Sequence, residues 1–266
     1  MKSTQIRTPP QKVPSLTLVG AGPGDPELIT LKGIKALRQA DAILYDALAN
    51  EELLAYAPAT APRVYVGKRA GQHKVKQEQI NQMIVQYAYQ YGHVVRLKGG
   101  DPYVFGRGHE EQHYAEQAGV STQVIPGISS AYAVPVLQHI PLTKRSVSES
   151  FWVITGTTRT GQLSGDIALA AQSTATVVIL MGMSKLASIQ AVFAQHGKSN
   201  SPVAIIQNGS LPEERIAICQ VHNMVATAAE QGLGAPAIIV MGEVVNERKS
   251  IFLTNKITEH GQYAHA

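Results

Sequence analysis

Two glycine-rich turns, GAGPGDP at 20–26 and LKGGDPYVFGRG at 97–108, each follow an apolar run, and each contains Asp-Pro. A glycine-rich turn after a strand is where an α/β protein can present bare backbone to a small ligand. The first turn supplies Gly20 and Gly22 of a G-x-G-x-x-G dinucleotide loop, but Asp25 stands where the third glycine would let the helix pack closely. Pro23 removes an amide donor, and Asp25 places a negative charge where a pyrophosphate would sit. The turn therefore speaks against NAD and FAD, and no G-x-x-x-x-G-K-[ST] string offers a phosphate loop. A cationic or zwitterionic ligand suits such a turn better.

Outward from the turns, short β-branched runs alternate with amphipathic segments. LTLVG at 16–20, DAILYD at 41–46, RVYVG at 63–67, HVVRL at 93–97 and TQVIPG at 122–127 predict strands. Leu28, Leu31, Ile34 and Leu37 fall at helical spacing, as do Ile80, Met83, Ile84, Tyr87 and Tyr91. This alternation predicts an α/β fold with a largely parallel sheet. IPLTKRSVSES at 140–150 breaks the pattern, so a domain boundary is expected there, giving domains at 13–143 and 148–249. Strand-like runs then resume at FWVITG, ATVVILMG, VAIIQNG, RIAICQV and AIIVMGEVV, with a helix at 185–196. The last two runs are separated by a single helix-like stretch, which leaves room for a mixed sheet. The polar, aperiodic ends 1–12 and 250–266 read as loosely ordered tails.

Composition narrows the function classes. Net charge is +4, from 23 Lys and Arg against 19 Asp and Glu, a mild balance that an acidic small substrate explains as well as nucleic acid would. Aromatic residues are only 6% and form no basic, base-stacking stripe, so no nucleic-acid partner is expected. No signal-peptide core or membrane-length apolar run occurs, so a cytoplasmic protein without a membrane partner is expected. Cys219, in the apolar run RIAICQV, reads as a buried, reduced thiol more than as a nucleophile.

Taken in order and spacing, VGAGPGDPELITLKG, ADAILYD, VGKRAGQHKVKQEQIN, VVRLKGGDPYVFGRG, PGISSA, IPLTKR, VILMGM and PAIIVMGEVV resemble the uroporphyrinogen-III C-methyltransferase family, over roughly residues 15–247. The resemblance implies two α/β domains of the tetrapyrrole methylase type, with S-adenosylmethionine in the cleft between them, and a homodimer. It also implies two C-methylations of uroporphyrinogen III to precorrin-2, on the way to sirohaem, cobalamin or haem d1. On the cofactor side it implies Pro23, Gly99, Gly100, Asp101, Ser130, Ala131, Met181, Asn208, Gly209 and Ala237. On the substrate side it implies Arg107, Glu110 and Arg145, with Lys68 and Arg69 beside them and Asp46 as an acid or base.

Residue chemistry agrees with these assignments. The donor carries a sulfonium and an amino group, which carbonyls and a carboxylate suit, and the eight-carboxylate acceptor calls for cations. The methyl transfer needs no metal, and the nine histidines read as surface or satisfied residues, so no metal site is expected. Simpler roles compete at several positions: an exposed ion pair for Arg107 and Glu110, a cap for Asp46, core packing for Met181. His109, His139, Lys144 and Ser146 depart from the family pattern around the acceptor loops, and Pro135 would end or kink the helix after PGISSA. A methyltransferase for another acidic tetrapyrrole, or a non-catalytic tetrapyrrole-binding relative, are the alternatives.

Overall fold

The computed structural model describes residues 12–67 and 75–248. The chain divides into two compact units, between Ile128 and Ser129.

The first unit is a five-stranded parallel sheet in the order β3-β2-β4-β1-β5. Its strands are β1 (Ser15–Gly20), β2 (Ala42–Tyr45), β3 (Arg63–Tyr65), β4 (His93–Lys98) and β5 (Ser121–Ile125). Helix α1 (Leu31–Arg38) covers one face, packing on a core with Val19, Ile43, Val95 and Leu97. Helices α2 (Gln77–Tyr91) and α3 (Gly108–Gln117) cover the other, where Ile80, Ile84 and Ala115 meet Leu18, Leu44 and Val94. Burial on both faces explains the continuous apolar runs of the sequence. Asp25 caps a 3-10 turn at Pro26–Leu28 by accepting from Glu27 N, and Thr30 caps α1 by accepting from Gly33 N.

After β1 the chain turns to the α1 face, and after the neighbouring β4 it turns to the α3 face. The connections thus part between two adjacent parallel strands. In open α/β sheets the crevice outside the carboxyl ends at such a switch point is where ligands bind. Both glycine-rich turns start there.

The second unit opens with α4 (Ser130–Leu137) and carries a sheet in the order β6-β7-β10-β8-β9. These strands are β6 (Phe151–Thr155), β7 (Thr176–Leu180), β8 (Pro202–Gln207), β9 (Arg215–Gln220) and β10 (Ala237–Met241). Only β6 and β7 pair in parallel, and the rest are antiparallel, so the sheet is mixed. Helices α5 (Asp166–Gln172), α6 (Leu186–Gln195) and α7 (Met224–Glu230) bury one face through Ile167, Ile189, Phe193 and Met224.

The division falls earlier than the polar break at 140–150. Ala131, Val134, Ile140 and Leu142 share a core with Val178, Ala204, Ile206 and Val240, so α4 and the residues after it belong to the second unit. Pro135 lies inside α4, and the helix continues to Leu137 before ending.

Candidate active site

At the carboxyl edge of the first sheet the two turns are joined by backbone. Gly22 N donates to Gly100 O (3.3 Å) and Gly100 N to Gly22 O (2.7 Å), an antiparallel bridge between the loops. A Cβ on Gly20 would lie 2.7 Å from Gly100 O, and one on Gly127 would lie 2.6 Å from Gly20 Cα. Glycine is needed here because the ends of β4, β1 and β5 touch through bare backbone. At Gly20 and Gly127 that need comes from the protein's own packing. The result is a floor at the switch point without side chains, which fits the backbone approach of a small zwitterion.

Asp101 has a positioning role in this structure. Its carboxylate accepts from Tyr103 N (2.7 Å) and Gly127 N (2.9 Å), tying the second turn to the segment after β5. Pro23 and Gly99 are half-buried in their turns. Beyond Asp101 the backbone is strained: Phe105 and Arg107 both take positive φ, 54° and 59°, on either side of Gly106. Tyr103, Val104 and Phe105 remain exposed on this loop, an apolar cluster of the kind that marks a binding surface.

Arg107 stands at the N-terminal edge of α3 and forms a fork with Glu110, Nε to Oε1 at 3.0 Å and Nη2 to Oε2 at 2.6 Å. The side chains are 48% and 54% exposed, so the pair is the solvated ion pair that the sequence weighed, and it remains open to a competing carboxylate. The hydrogen bond to Glu110 raises the Arg107 pKa against a smaller effect of burial, which keeps the cation fully charged. Arg145 is exposed in a turn closed by Lys144 N to Ser148 O (2.9 Å). Lys68 and Arg69 lie outside the described residues. Asp46 caps no helix. Its carboxylate accepts from Leu48 N (3.3 Å) and Gly99 N (3.4 Å) and pairs with Arg96 Nη2 (3.2 Å).

In the second unit Ser130 opens α4 behind the cap Ser129, and Ala131 is buried with its N–H donated to Ser129 Oγ (3.3 Å). Met181 is not core: it follows β7 with a φ of 54° and is 52% exposed. Asn208, with a φ of 51°, follows β8 and donates its N–H to Pro236 O (3.0 Å), so the Asn208–Gly209 loop adjoins the start of β10 at Ala237. Gly209 is pressed against α4, where a Cβ would meet the Val134 side chain.

His139 and Ser146 take φ values of 58° and 63°, the left-handed region that favours glycine. Lys144 pairs with Glu247 at 2.6 Å.

The sequence reading passed over two features. HEEQH at 109–113 does place two histidines one helical turn apart, and their rings lie parallel with centroids 6.2 Å apart. Glu110 is committed to Arg107, and among the described residues no group of three or more potential ligands is placed to hold a metal. The second feature is a buried ionic cluster. Arg96 and Lys98 share one face of β4 and meet Glu111 of α3, at 2%, 4% and 1% exposure. Lys98 Nζ lies 2.9 Å from Glu111 Oε1, which also accepts from Gln77 Nε2 (3.0 Å), and Arg96 Nε lies 3.4 Å from Glu111 Oε2. Burial pushes the Lys98 ammonium below the usual lysine range, Arg96 adds to this, and Glu111 and Asp46 oppose it. The available signal was two cations alternating in a strand otherwise buried on both faces, VVRLKG.

Burial raises the Cys219 thiol to about 11, despite a hydrogen bond to Thr227. Alkylation by iodoacetamide at pH 8 is expected to run on the order of a hundredfold slower than for a free cysteine. A rate matching the free thiol would refute this.

The tetrapyrrole (corrin/porphyrin) methylase family model matches residues 15–224. Uroporphyrinogen-III C-methyltransferase of Methanocaldococcus jannaschii is 46% identical over 231 residues, covering 86% of this chain and 96% of that protein. A siroheme synthase of Actinobacillus pleuropneumoniae is 44% identical, but this chain spans only 48% of its length. Among solved structures, uroporphyrin-III C-methyltransferase from Thermus thermophilus complexed with S-adenosyl homocysteine is 35% identical, with a TM-score of 0.73, covering 87% of this chain and 93% of that one. A family match across both units, on a fold whose glycine turns meet at its switch point, places the chain among the tetrapyrrole methylases.

Proposed function

We propose that this protein transfers methyl groups from S-adenosylmethionine to two pyrrole carbons of uroporphyrinogen III, giving precorrin-2. The observation that carries this reading is the 46% identity along 96% of the M. jannaschii uroporphyrinogen-III C-methyltransferase. The two joined glycine turns and the exposed apolar and cationic residues beside them support it.

S-adenosylmethionine supplies an activated methyl group, so the protein's part is chiefly orientation, which can contribute several kcal/mol. The residues proposed for the donor are Pro23, Gly99, Gly100 and Asp101 in the first unit and Ser130, Ala131, Met181, Asn208, Gly209 and Ala237 in the second. Asp101 holds the second turn in shape and so sets the surface that this turn offers to the donor. For the acceptor, Arg107 turns from Glu110 toward a substrate carboxylate, and Arg145 offers a second guanidinium. Lys68 and Arg69 are added from the resemblance alone. Tyr103, Val104 and Phe105 offer an apolar surface to the macrocycle. The chain is further proposed to act as a homodimer in the cytoplasm, which rests on the resemblance. No helix among the described residues is long and apolar enough to cross a membrane.

The test is an anaerobic assay with S-adenosylmethionine and enzymatically generated uroporphyrinogen III. A tetrapyrrole heavier by two methyl groups is the expected product, and donor binding without transfer would point to another acceptor. Arg107→Ala is expected to reduce kcat/KM for the tetrapyrrole by about 30-fold or more, the loss of one charge-assisted contact of about 2 kcal/mol. Its donor affinity in calorimetry should be unchanged. Wild-type turnover in this variant removes Arg107 from the site.

A further inference from the structure

An unbroken chain of polar contacts runs beneath the second glycine turn of the first unit. It begins at the second glycine turn, where Gly99 N donates to Asp46 Oδ1 (3.4 Å). Asp46 Oδ2 then takes Arg96 Nη2 (3.2 Å), and Arg96 Nη1 is held by Leu97 O (2.9 Å). Arg96 Nε faces Glu111 Oε2 at 3.4 Å. The Glu111 N–H donates to Arg107 O (3.3 Å), and Arg107 carries the exposed fork with Glu110. The donor-side turn and the acceptor-side arginine are thus connected through a guanidinium that is 2% exposed.

Stability alone accounts poorly for this arrangement. Buried ion pairs are often replaced by apolar residues at no loss, because desolvation offsets their attraction. Arg96 Nε and Glu111 Oε2, which face each other, are both without a hydrogen-bond partner, so this link acts through charge at a fixed separation. Among the described residues, Arg96 is the one side chain that pairs with both Asp46 and Glu111, and a lysine point charge in its place lacks the planar fork for two directions. Of the two acidic residues in succession, Glu110 serves the exposed arginine and Glu111 the buried one, so α3 is anchored within one turn of Arg107.

We propose that Asp46, Arg96 and Glu111 form a positioning relay that sets the Arg107 end of α3 in register with the turn at Gly99–Asp101. Asp46, the candidate acid or base of the sequence, acts in this relay through Arg96 and Gly99. The inference rests on the reading that Arg107 holds the acceptor and the Gly99–Asp101 turn the donor. An acceptor that must present two different carbons in succession depends on that register twice, so at a fixed reaction time the dimethylated product falls more steeply than the first methyl transfer does.

The test compares Arg96→Lys with the wild-type protein. The variant keeps the buried cation but cannot bridge both carboxylates. Once thermal unfolding shows it folded, its donor affinity should stay within about twofold, because the backbone bridge of Gly22 and Gly100 is intact. Turnover should fall about tenfold to a hundredfold, as for a small misplacement of reacting groups. Monomethylated tetrapyrrole should also accumulate relative to the dimethylated product. Glu111→Gln, which retains an oxygen for Lys98 and Gln77 but loses the charge facing Arg96, should shift the product ratio in the same direction and serves if Arg96→Lys does not fold. A folded variant with the wild-type product ratio, whether or not its total activity falls, overturns the relay. Absence of methyl transfer by the wild-type protein instead refutes the function on which it rests. In that case faster hydrogen exchange at residues 107–113 in the variant still supports the register role, and unchanged exchange there overturns it.

Discussion

Replacing Gly127 with alanine is expected to lower stability by about 1–3 kcal/mol, the usual range for forcing an atom into packed surroundings, and to abolish S-adenosylmethionine binding. The added Cβ would lie 2.6 Å from Gly20 Cα and 2.8 Å from Gly20 C, and closer still to Gly100 O. All three neighbours are backbone, so no side-chain rotamer relieves the clash, and the ends of β1, β4 and β5 must separate. Separation breaks the Gly22–Gly100 bridge and lengthens the bond from Gly127 N to Asp101 Oδ2. The φ of Gly127 lies outside the left-handed region, so the effect is one of contact and not of backbone preference. Gly165→Ala is the control. Gly165 has a helical φ of −61° with nothing near its absent Cβ, and alanine there should be neutral or stabilising by about 0.4–1 kcal/mol. Urea titration and calorimetry of both variants separate the outcomes. Wild-type stability and donor affinity in Gly127→Ala would show that the three strand ends need not touch.

The sequence was most legible where one period repeats. Ile80, Met83, Ile84, Tyr87 and Tyr91 define α2 as Gln77–Tyr91, and the apolar runs of the first half mark five parallel strands. A fully buried strand and the turn after it leave a strong local pattern. What escaped depends on contacts far apart in sequence. Arg96 and Glu111 lie on a strand and a helix separated by the whole second turn, and no local period joins a cation to its partner across that distance. The unit division was displaced for a related reason. The polar stretch 140–150 resembles a linker, yet Ile140 and Leu142 within it are buried against the second sheet, and α4 before it packs there too. Met181 was ambiguous because an apolar strand precedes it, and its left-handed φ decides the matter by carrying the side chain out of the core. The ion pair of Arg107 with Glu110 was legible as well, because its i, i+3 spacing is local.

Glu111→Leu should have the largest effect on stability, a loss of about 3–5 kcal/mol. This is a large share of the 5–15 kcal/mol that typically holds a domain folded. The leucine fills much of the volume, so the loss comes from charge: among the described residues Lys98 and Arg96 keep Asp46 alone, at the far end of the guanidinium, to balance them. Adding Lys98→Met removes one buried cation and leaves Arg96 paired with Asp46, so the double variant should recover most of the loss. The pH dependence separates this from a packing defect. Lys98 already titrates below the ordinary lysine value of 10.5, through burial and the neighbouring Arg96, and Glu111 opposes that shift. Without Glu111 the folded-state pKa drops further while the unfolded value stays the same. Between the two values the unfolded chain binds more protons than the folded one, so stability rises with pH across that window. Urea unfolding of Glu111→Leu at pH 7 and pH 9.5 should therefore show a partial recovery at the higher pH that the Lys98→Met double variant lacks. Equal stability of the single variant at both values, or no gain from the second substitution, would mean that Glu111 supports the fold by shape and not by charge.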